Sequence, residues 1–171
     1  MIDHLEIERK YLIKMPNANV LLSQKGCTCD KIEQTYLTSE KGISARVRKR
    51  QSDTKCEYTK TEKRRITPIT CEEKERVISA DEYTELLKLR QKELRTIEKL
   101  RYAFPYKNRV VEIDVYPFWD KVATLEIEMQ DENEQIFIPD FVEVICEVST
   151  DSRFKNRALA EEIPEESEFL L

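Results

Sequence analysis

The stretch Leu5-Glu6-Ile7-Glu8-Arg9-Lys10-Tyr11-Leu12 alternates charged and apolar side chains. A period of two belongs to an extended strand, whose successive side chains point to opposite faces, so Glu6, Glu8 and Lys10 share one face and Ile7 lies on the other. The same habit recurs along the chain. Arg46 and Arg48 flank Val47, with Arg50 in phase. Glu73 and Glu75 make a third set, Lys99 and Arg101 flank Leu100, Glu112 and Asp114 flank Ile113, and Glu126 and Glu128 flank Ile127. On a single half-buried strand the charged face meets water. Six strands with one habit predict more. If the sheet closes on itself the charged faces line an interior, where unpaired charge is costly and carboxylates, cations and a bound polyanion must offset one another.

The segments between these rows fix the rest of the reading. His4–Ile13 is the first strand, Pro16 and Asn17 end it, and Ala18–Lys25 reads as a short helix. Asp30–Thr38 and Ile43–Arg50 form a hairpin about Ser39–Gly42, and Cys56–Lys63 follows them. Ile66–Cys71, with Pro68, reads as a loop before a strand at Glu72–Ile78. Ser79 caps a helix that the spacing of Tyr83, Leu86 and Leu87 carries to about Glu93, with Glu82 placed for a capping box. Arg95–Phe104, Asn108–Val115 and Ala123–Met129 are strands separated by Pro105 and by Pro117–Asp120. Phe141–Val148 is the last strand, Asn156–Glu162 a helix, and the acidic stretch Glu161–Glu168 a solvated tail. Some eight strands with hairpin-length connections predict an α+β chain built on an antiparallel sheet or barrel, with helices packed outside. No linker or shift of composition interrupts it, so one domain over 1–171 is expected.

Composition removes several kinds of chemistry. A chain of 171 residues can bury a real core, and 29 basic against 34 acidic residues leave a net charge of -5, which is not the footprint of a nucleic-acid binder. Two glycines, Gly26 and Gly42, cannot build a glycine-rich phosphate loop. No apolar run approaches about 18 residues and Met1–Lys14 lacks the pattern of a signal peptide, so a cytoplasmic protein that engages no membrane is expected. Five cysteines without CxxC spacing read as reduced, structural thiols. His4 is the only histidine, which leaves chemistry to carboxylates, lysines and arginines. That set suits a triphosphate. Lys and Arg neutralise its oxygens, Glu and Asp are hard ligands for Mg²⁺ or Mn²⁺, and a bound metal lowers the pKa of water, so no nucleophilic side chain is required.

Taken in order, these segments resemble the CYTH superfamily, the triphosphate tunnel metalloenzymes. Glu6-Ile7-Glu8-Arg9-Lys10 is similar to its ExExK opening, Arg46-Val47-Arg48 to its RxR strand and Glu73-Lys74-Glu75 to its ExE strand. Lys99-Leu100-Arg101 resembles the KxR strand, Glu112-Ile113-Asp114 the acidic strand after it, and Glu126-Ile127-Glu128 the last ExE. Val148–Asp151 with Lys155–Ala160 looks like the closing segment. The resemblance implies an eight-stranded antiparallel tunnel that holds a small-molecule triphosphate, inorganic tripolyphosphate first among them, and hydrolyses it with Mg²⁺ or Mn²⁺. By position it implies that Lys10, Arg46, Arg48, Lys99 and Arg101 grip phosphates and that Glu6, Glu8 and Glu128 hold metal. Glu73 and Glu75, with Glu126, Glu112 or Asp114, serve a second metal or orient water, and Lys10 joins Glu73 and Glu75 in the catalytic set. The lysine expected after RxR is Lys63, two residues beyond Thr61; Lys60 has the opposite parity. Departures are modest: Thr35 stands where a small residue is usual and Tyr11 where a phenylalanine is. Adenylate cyclases and thiamine triphosphatases share the fold, and a base or thiamine pocket would draw on Tyr36, Tyr58, Tyr106, Phe118 or Trp119. The cyclase-type His-Phe dipeptide is absent before Glu6. A module that binds polyphosphate or a nucleotide without turnover is the other alternative.

Overall fold

A computed structural model describes residues 2–170; Met1 and Leu171 lie outside the described residues. Its strands are β1 (Ile2–Lys14), β2 (Thr28–Leu37), β3 (Ile43–Gln51), β4 (Cys56–Arg65), β5 (Thr70–Ile78), β6 (Ile97–Tyr106), β7 (Arg109–Val115), β8 (Val122–Met129) and β9 (Val144–Glu147). The helices are α1 (Ala18–Leu22), α2 (Ala80–Leu87) and α3 (Asn156–Glu161). Neighbours run β5-β4-β3-β2-β6-β7-β8-β1, and β1 returns to β5, closing an eight-stranded antiparallel barrel. Closure rests on the length of β1. Its first half, as far as Ile7, pairs with β5, and Ile7–Lys14 pairs with β8 along the opposite edge. The short β9 joins β1 at Tyr11–Ile13, on the edge that β5 has left.

Parity then sorts the side chains. The outward face of β1, β6, β7 and β8 carries Tyr11, Ile13, Phe104, Val111, Ile113, Leu125 and Ile127, covered by Leu21 of α1 and by Ile136, Ile138 and Val142 of the segment after β8. The outward face of β2–β5 carries Leu37, Ala45, Val47 and Ile78, covered by Tyr83 of α2. Apolar area removed from water on the outside is what permits a charged interior, at about 25 cal/mol per Å². A third cluster gathers Leu12, Tyr36, Ile97, Tyr116 and Trp119 with Phe154 and Leu159 from the C-terminal segment.

Apart from shifts at the ends of α1, β5 and β6, where β6 runs through Pro105 to Tyr106, the structure departs from the sequence reading at four places, each with a cause. The helix opened by Ser79, whose hydroxyl accepts from the Glu82 N–H at 3.1 Å, stops at Leu87 instead of running to Glu93. Beyond it the backbone is drawn to the end of β2: Thr38 donates to the Leu89 carbonyl and Gln91 to that of Tyr36, each at 2.9 Å. Glu82 turns to Arg76 and does not reach back to close a capping box. The last strand begins at Val144 instead of Phe141, because Phe141 lies against Phe104 and Val142 against the barrel wall. The acidic C-terminal stretch is packed and not a solvated tail. The Trp119 indole donates to the Pro164 carbonyl at 3.1 Å, Glu166 accepts from the Lys121 and Val122 amides, and Phe169 meets Trp119 and Phe154 edge-on. No helix among the described residues is long and apolar enough to cross a membrane, and the five cysteines are free.

Candidate active site

The inward rows meet in a cavity of about 660 Å³. Glu6, Glu8 and Lys10 reach it from β1, Arg46 and Arg48 from β3, Lys63 from β4, and Glu73 and Glu75 from β5. Arg101 comes from β6, Glu112 from β7, and Glu126 and Glu128 from β8. The rim is made by the β2–β3 turn, Gln91, Arg65 and Lys155–Arg157. A second hollow at the β6–β7 turn shares Glu112 and Glu128 with the lumen, so these two carboxylates stand between them. Lys63 faces the cavity, whereas Lys60 pairs with Glu62 at 2.7 Å on the face that carries Tyr58 against Tyr83.

Two of the expected residues do not reach the cavity. Lys99 and Asp114 share the inward parity but their side chains are 0% exposed, ion-paired to one another behind the lining. Burial, with Arg101 alongside, pushes the Lys99 ammonium down to about 8. Asp114 also accepts from Arg101 Nε and Nη2, both at 2.7 Å. Arg101 then reaches Glu126 at 2.6 Å and Glu112, and Glu126 holds Lys10 at 2.8 Å. Burial works against every charge here, and at Lys10, Arg101, Asp114 and Glu126 the pairing overrides it. Lys10 and Arg101 hold Glu126 well below the usual carboxylate range, Arg101 and Lys99 lower Asp114, and Glu126 keeps Lys10 above the usual lysine range.

The opposite wall is less complete. Among the described residues Arg46 has only Glu73 as a carboxylate partner, at 3.8 Å, and the Nε of Arg46 and of Arg48 is buried without a hydrogen-bond partner. Among the described residues Arg48 has no carboxylate partner; its Nη2 donates to Gln34 at 3.3 Å. Burial, with Arg46 and Arg101 nearby, pushes Arg48 down to about 10. Lys63 bonds to Glu6 and stands 2.7 Å from Glu73 Oε2, yet that oxygen receives no aligned donor. Glu75 accepts from Thr61 at 2.7 Å. Buried donors and acceptors left open in this way are what a bound polyanion and water would satisfy.

Charge and crowding decide whether a divalent cation fits. Five inward cations (Lys10, Arg46, Arg48, Lys63, Arg101) face seven carboxylates (Glu6, Glu8, Glu73, Glu75, Glu112, Glu126, Glu128). Such a lumen repels a polyanion unless further positive charge enters with it. Glu8 and Glu128 are register partners on adjacent strands. Burial raises both carboxyls; Glu126 and Glu6 add to it at Glu8, and Glu6 at Glu128. Like-charged carboxylates brought together in this way are relieved by a hard cation such as Mg²⁺ or Mn²⁺. No three His, Cys, Asp or Glu side chains among the described residues are already drawn into a metal cluster, since most of the acids are turned to lysine or arginine. The donor set fits the cation.

Parity missed the rim. Arg65 continues the inward row of Thr61 and Lys63 and is legible in that phase, but Gln91, Lys155 and Arg157 sit outside strands and no periodicity marks them. Of the aromatic residues considered for a base pocket, Tyr36 alone lines the cavity, and the Arg157 guanidinium lies 5.7 Å from its ring centre. Tyr58 packs on Tyr83, and Phe118 and Trp119 belong to the cluster at the C-terminal segment.

A family model described as the CYTH domain matches residues 4–156. No curated protein matches the chain. Among solved structures, the inorganic triphosphatase NE1496 is 28% identical, the likeness covering 94% of this chain and 97% of that one with a TM-score of 0.55. PH1819 from Pyrococcus horikoshii OT3, at 18% identity, 75% and 80% coverage and a TM-score of 0.56, shares the fold. So does HpAC1 from Hippeastrum, named for an adenylyl cyclase but with a dominant triphosphatase activity, at 16% identity, 74% and 80% coverage and a TM-score of 0.54.

Proposed function

The chain belongs to the CYTH-domain family, and on that premise we propose that it hydrolyses inorganic tripolyphosphate with Mg²⁺ or Mn²⁺. The observation that supports the reading is the pair Arg46 and Arg48, inward guanidiniums whose Nε atoms are buried without a hydrogen-bond partner among the described residues, in a cavity walled by the strands of the barrel. Guanidinium bound to phosphoryl oxygens gains paired, charge-assisted hydrogen bonds. In this reading Arg46, Arg48 and Lys63 grip the phosphates from one wall, and Lys10 and Arg101 from the other. Lys99 acts from behind, through Asp114, by fixing the plane of Arg101. Glu6, Glu8 and Glu128, with Glu126 and Glu112 beside them, hold the cation. Bound there, a divalent ion supplies neutralisation of phosphoryl charge and a lowered pKa for water. Glu73, whose Oε2 lacks an aligned donor, and Glu75, fixed by Thr61, orient the attacking water as hydrogen-bond acceptors. Lys10, kept charged by Glu126, stabilises the negative charge that grows on the leaving phosphate.

An inorganic substrate is favoured over a nucleotide or thiamine ester because, among the described residues, the one aromatic side chain lining the cavity, Tyr36, is buried, with the Arg157 guanidinium 5.7 Å from its ring centre. The similarity to an inorganic triphosphatase supports the same choice. Phosphate release from tripolyphosphate, ATP and thiamine triphosphate with each metal is the test. Tripolyphosphate is expected to be turned over fastest. Tight binding with no release from any of the three, or cyclic AMP formed from ATP, overturns the reading.

A further inference from the structure

Strand pairing gives each inward cation its own facing residues, and at one cation these are of a different kind. Lys10 lies opposite Glu126 across β1 and β8, Arg101 opposite Asp114 across β6 and β7, and Lys63 opposite Glu73 across β4 and β5. Each of these pairs closes, at 2.8, 2.7 and 2.7 Å. Arg46 has Tyr36 and Thr61 opposite it but still meets Glu73 at 3.8 Å. Arg48 is flanked by Gln34 on β2 and Thr59 on β4, both neutral, and among the described residues it meets no carboxylate. Gln34 is wholly buried, and both ends of its amide are committed. The amide nitrogen donates to the Tyr36 hydroxyl at 2.7 Å, and the amide oxygen accepts from Arg48 Nη2 at 3.3 Å. The bond to Tyr36 therefore turns the amide oxygen towards the guanidinium. Glutamate has the length and shape of glutamine, so a carboxylate at position 34 would close one more ion pair. The amide gives Arg48 an anchor and leaves its charge in place.

We propose that Gln34 is a positioning residue for triphosphate binding, a neutral anchor that orients the Arg48 guanidinium and keeps its charge available to a phosphoryl group. The proposal rests on the triphosphatase reading, but it adds a residue which that reading does not use. A hydrogen bond between guanidinium and a neutral amide is roughly half as strong as one to an ionised oxygen, so phosphoryl oxygens are the better acceptors when they reach Arg48. A carboxylate at the same place would act in the opposite sense. It would neutralise Arg48 before the substrate arrives and set a further negative charge against the phosphates. The lumen already carries more carboxylates than cations, so that charge would fall where the wall has least need of it. Gln34 and Arg48 are direct cross-strand neighbours, and such pairs fix one another's side chains.

The experiment compares Gln34→Glu, which adds charge without changing shape, with Gln34→Met, which removes both hydrogen bonds without adding charge. Binding of tripolyphosphate with Mg²⁺ is followed by calorimetry, turnover by phosphate release, and stability of the metal-free protein by thermal melting. Gln34→Glu is expected to raise Kd and KM about tenfold, the scale of one charge-assisted contact, and to melt no lower than the wild type, because its carboxylate answers a buried cation. Gln34→Met is expected to raise Kd only about threefold and to melt below the wild type, since the Tyr36 hydroxyl and Arg48 each lose a partner. A residue that serves packing alone gives the reverse: the variant that melts lower also binds worse. The proposal is overturned if Gln34→Glu binds as tightly as the wild type, binds more tightly than Gln34→Met, or melts below Gln34→Met or fails to fold. A double-mutant cycle checks that the effect passes through Arg48. Gln34→Met added to Arg48→Met should leave Kd where Arg48→Met alone puts it, and a further loss of about threefold there would show that position 34 acts by another route. Absence of phosphate release from the wild type overturns the triphosphatase reading, and the calorimetric order of the variants then decides Gln34 by itself.

Discussion

The two walls of the lumen are built from the same residue types and arranged in opposite ways. On the β6–β7–β8 side every cation has its answer: Arg101 is held by Asp114, Glu112 and Glu126, Lys99 by Asp114, and Lys10 of the neighbouring β1 by Glu126. On the β3–β4–β5 side, among the described residues, Arg48 has no carboxylate, Arg46 has one distant one, and an oxygen of Glu73 lacks an aligned donor. With its cations paired, the completed wall acts as a scaffold that holds Lys10 and Arg101 in place. The incomplete wall is organised for a partner that the protein does not itself supply. Counting charged residues does not separate the two; counting their satisfied hydrogen bonds does.

Breaking the completed wall should have the largest effect. Asp114→Asn leaves Lys99 and Arg101 buried beside a neutral amide, and uncompensated buried charge costs about 3–5 kcal/mol. Chemical denaturation is expected to show a loss of that order in the metal-free protein, and a loss under ~1 kcal/mol would mean that the network is not a scaffold. Breaking the incomplete wall should reverse the balance. Arg48→Met removes a guanidinium that folding has buried without a carboxylate partner, its only acceptor among the described residues being Gln34, so stability should stay within about 1 kcal/mol or rise. KM for tripolyphosphate should rise about thirtyfold, the equivalent of ~2 kcal/mol for a lost charge-assisted contact. A variant that unfolds, or that keeps its KM, contradicts the contrast.

pH sharpens the comparison within single residues. The carboxyl of Glu8 is raised from its ordinary 4.5 by burial and by Glu126 and Glu6. The stability it contributes is fully present below its unfolded pKa and is lost as pH rises through the folded one. Glu126 is depressed, so its contribution is present above the unfolded pKa and lost as pH falls through the folded one. Metal-free protein should therefore weaken on the alkaline side of the carboxylate range through Glu8 and on the acid side through Glu126. Glu8→Gln should flatten the first slope and leave the second, as should saturating Mg²⁺. An unchanged alkaline slope in thermal melts of Glu8→Gln would show that Glu8 is not the crowded carboxylate.

Much of this contrast lies beyond what alternation can show. Parity told which face Glu6, Arg46, Lys99 or Asp114 would take, because a strand has only two faces. It carried no information on depth, so Lys99 and Arg101 read alike although one is sealed behind the wall and the other lines the cavity. Nor did it reveal pairing, which depends on which strands become neighbours: Lys10 meets Glu126 only because β1 pairs with β8. The solvated tail expected at the C-terminus fails for a similar reason. Its acidic residues are solvated in isolation, and only the distant Trp119 and Phe154 turn Pro164 and Phe169 into packing partners. The early end of α2 depended on the free edge of β2, equally remote in sequence.

The smallest expected effect tests parity itself, on the incomplete wall. Lys60 and Lys63 lie on the same strand, three residues apart, and so on opposite faces. Lys63 lies between Glu6 and Glu73 in the lumen, and Lys60 lies outside, beside Glu62. Lys60→Ala should leave KM and kcat for tripolyphosphate unchanged and cost no more than about 1 kcal/mol of stability, as partly exposed pairs do. Lys63→Ala, by contrast, should raise KM about tenfold or more, since the lost cation faces the phosphates. If instead Lys60→Ala impaired turnover and Lys63→Ala did not, β4 would be out of register by one residue. Every inward assignment from Thr59 to Arg65 would then move to the outer face, and the incomplete wall with it.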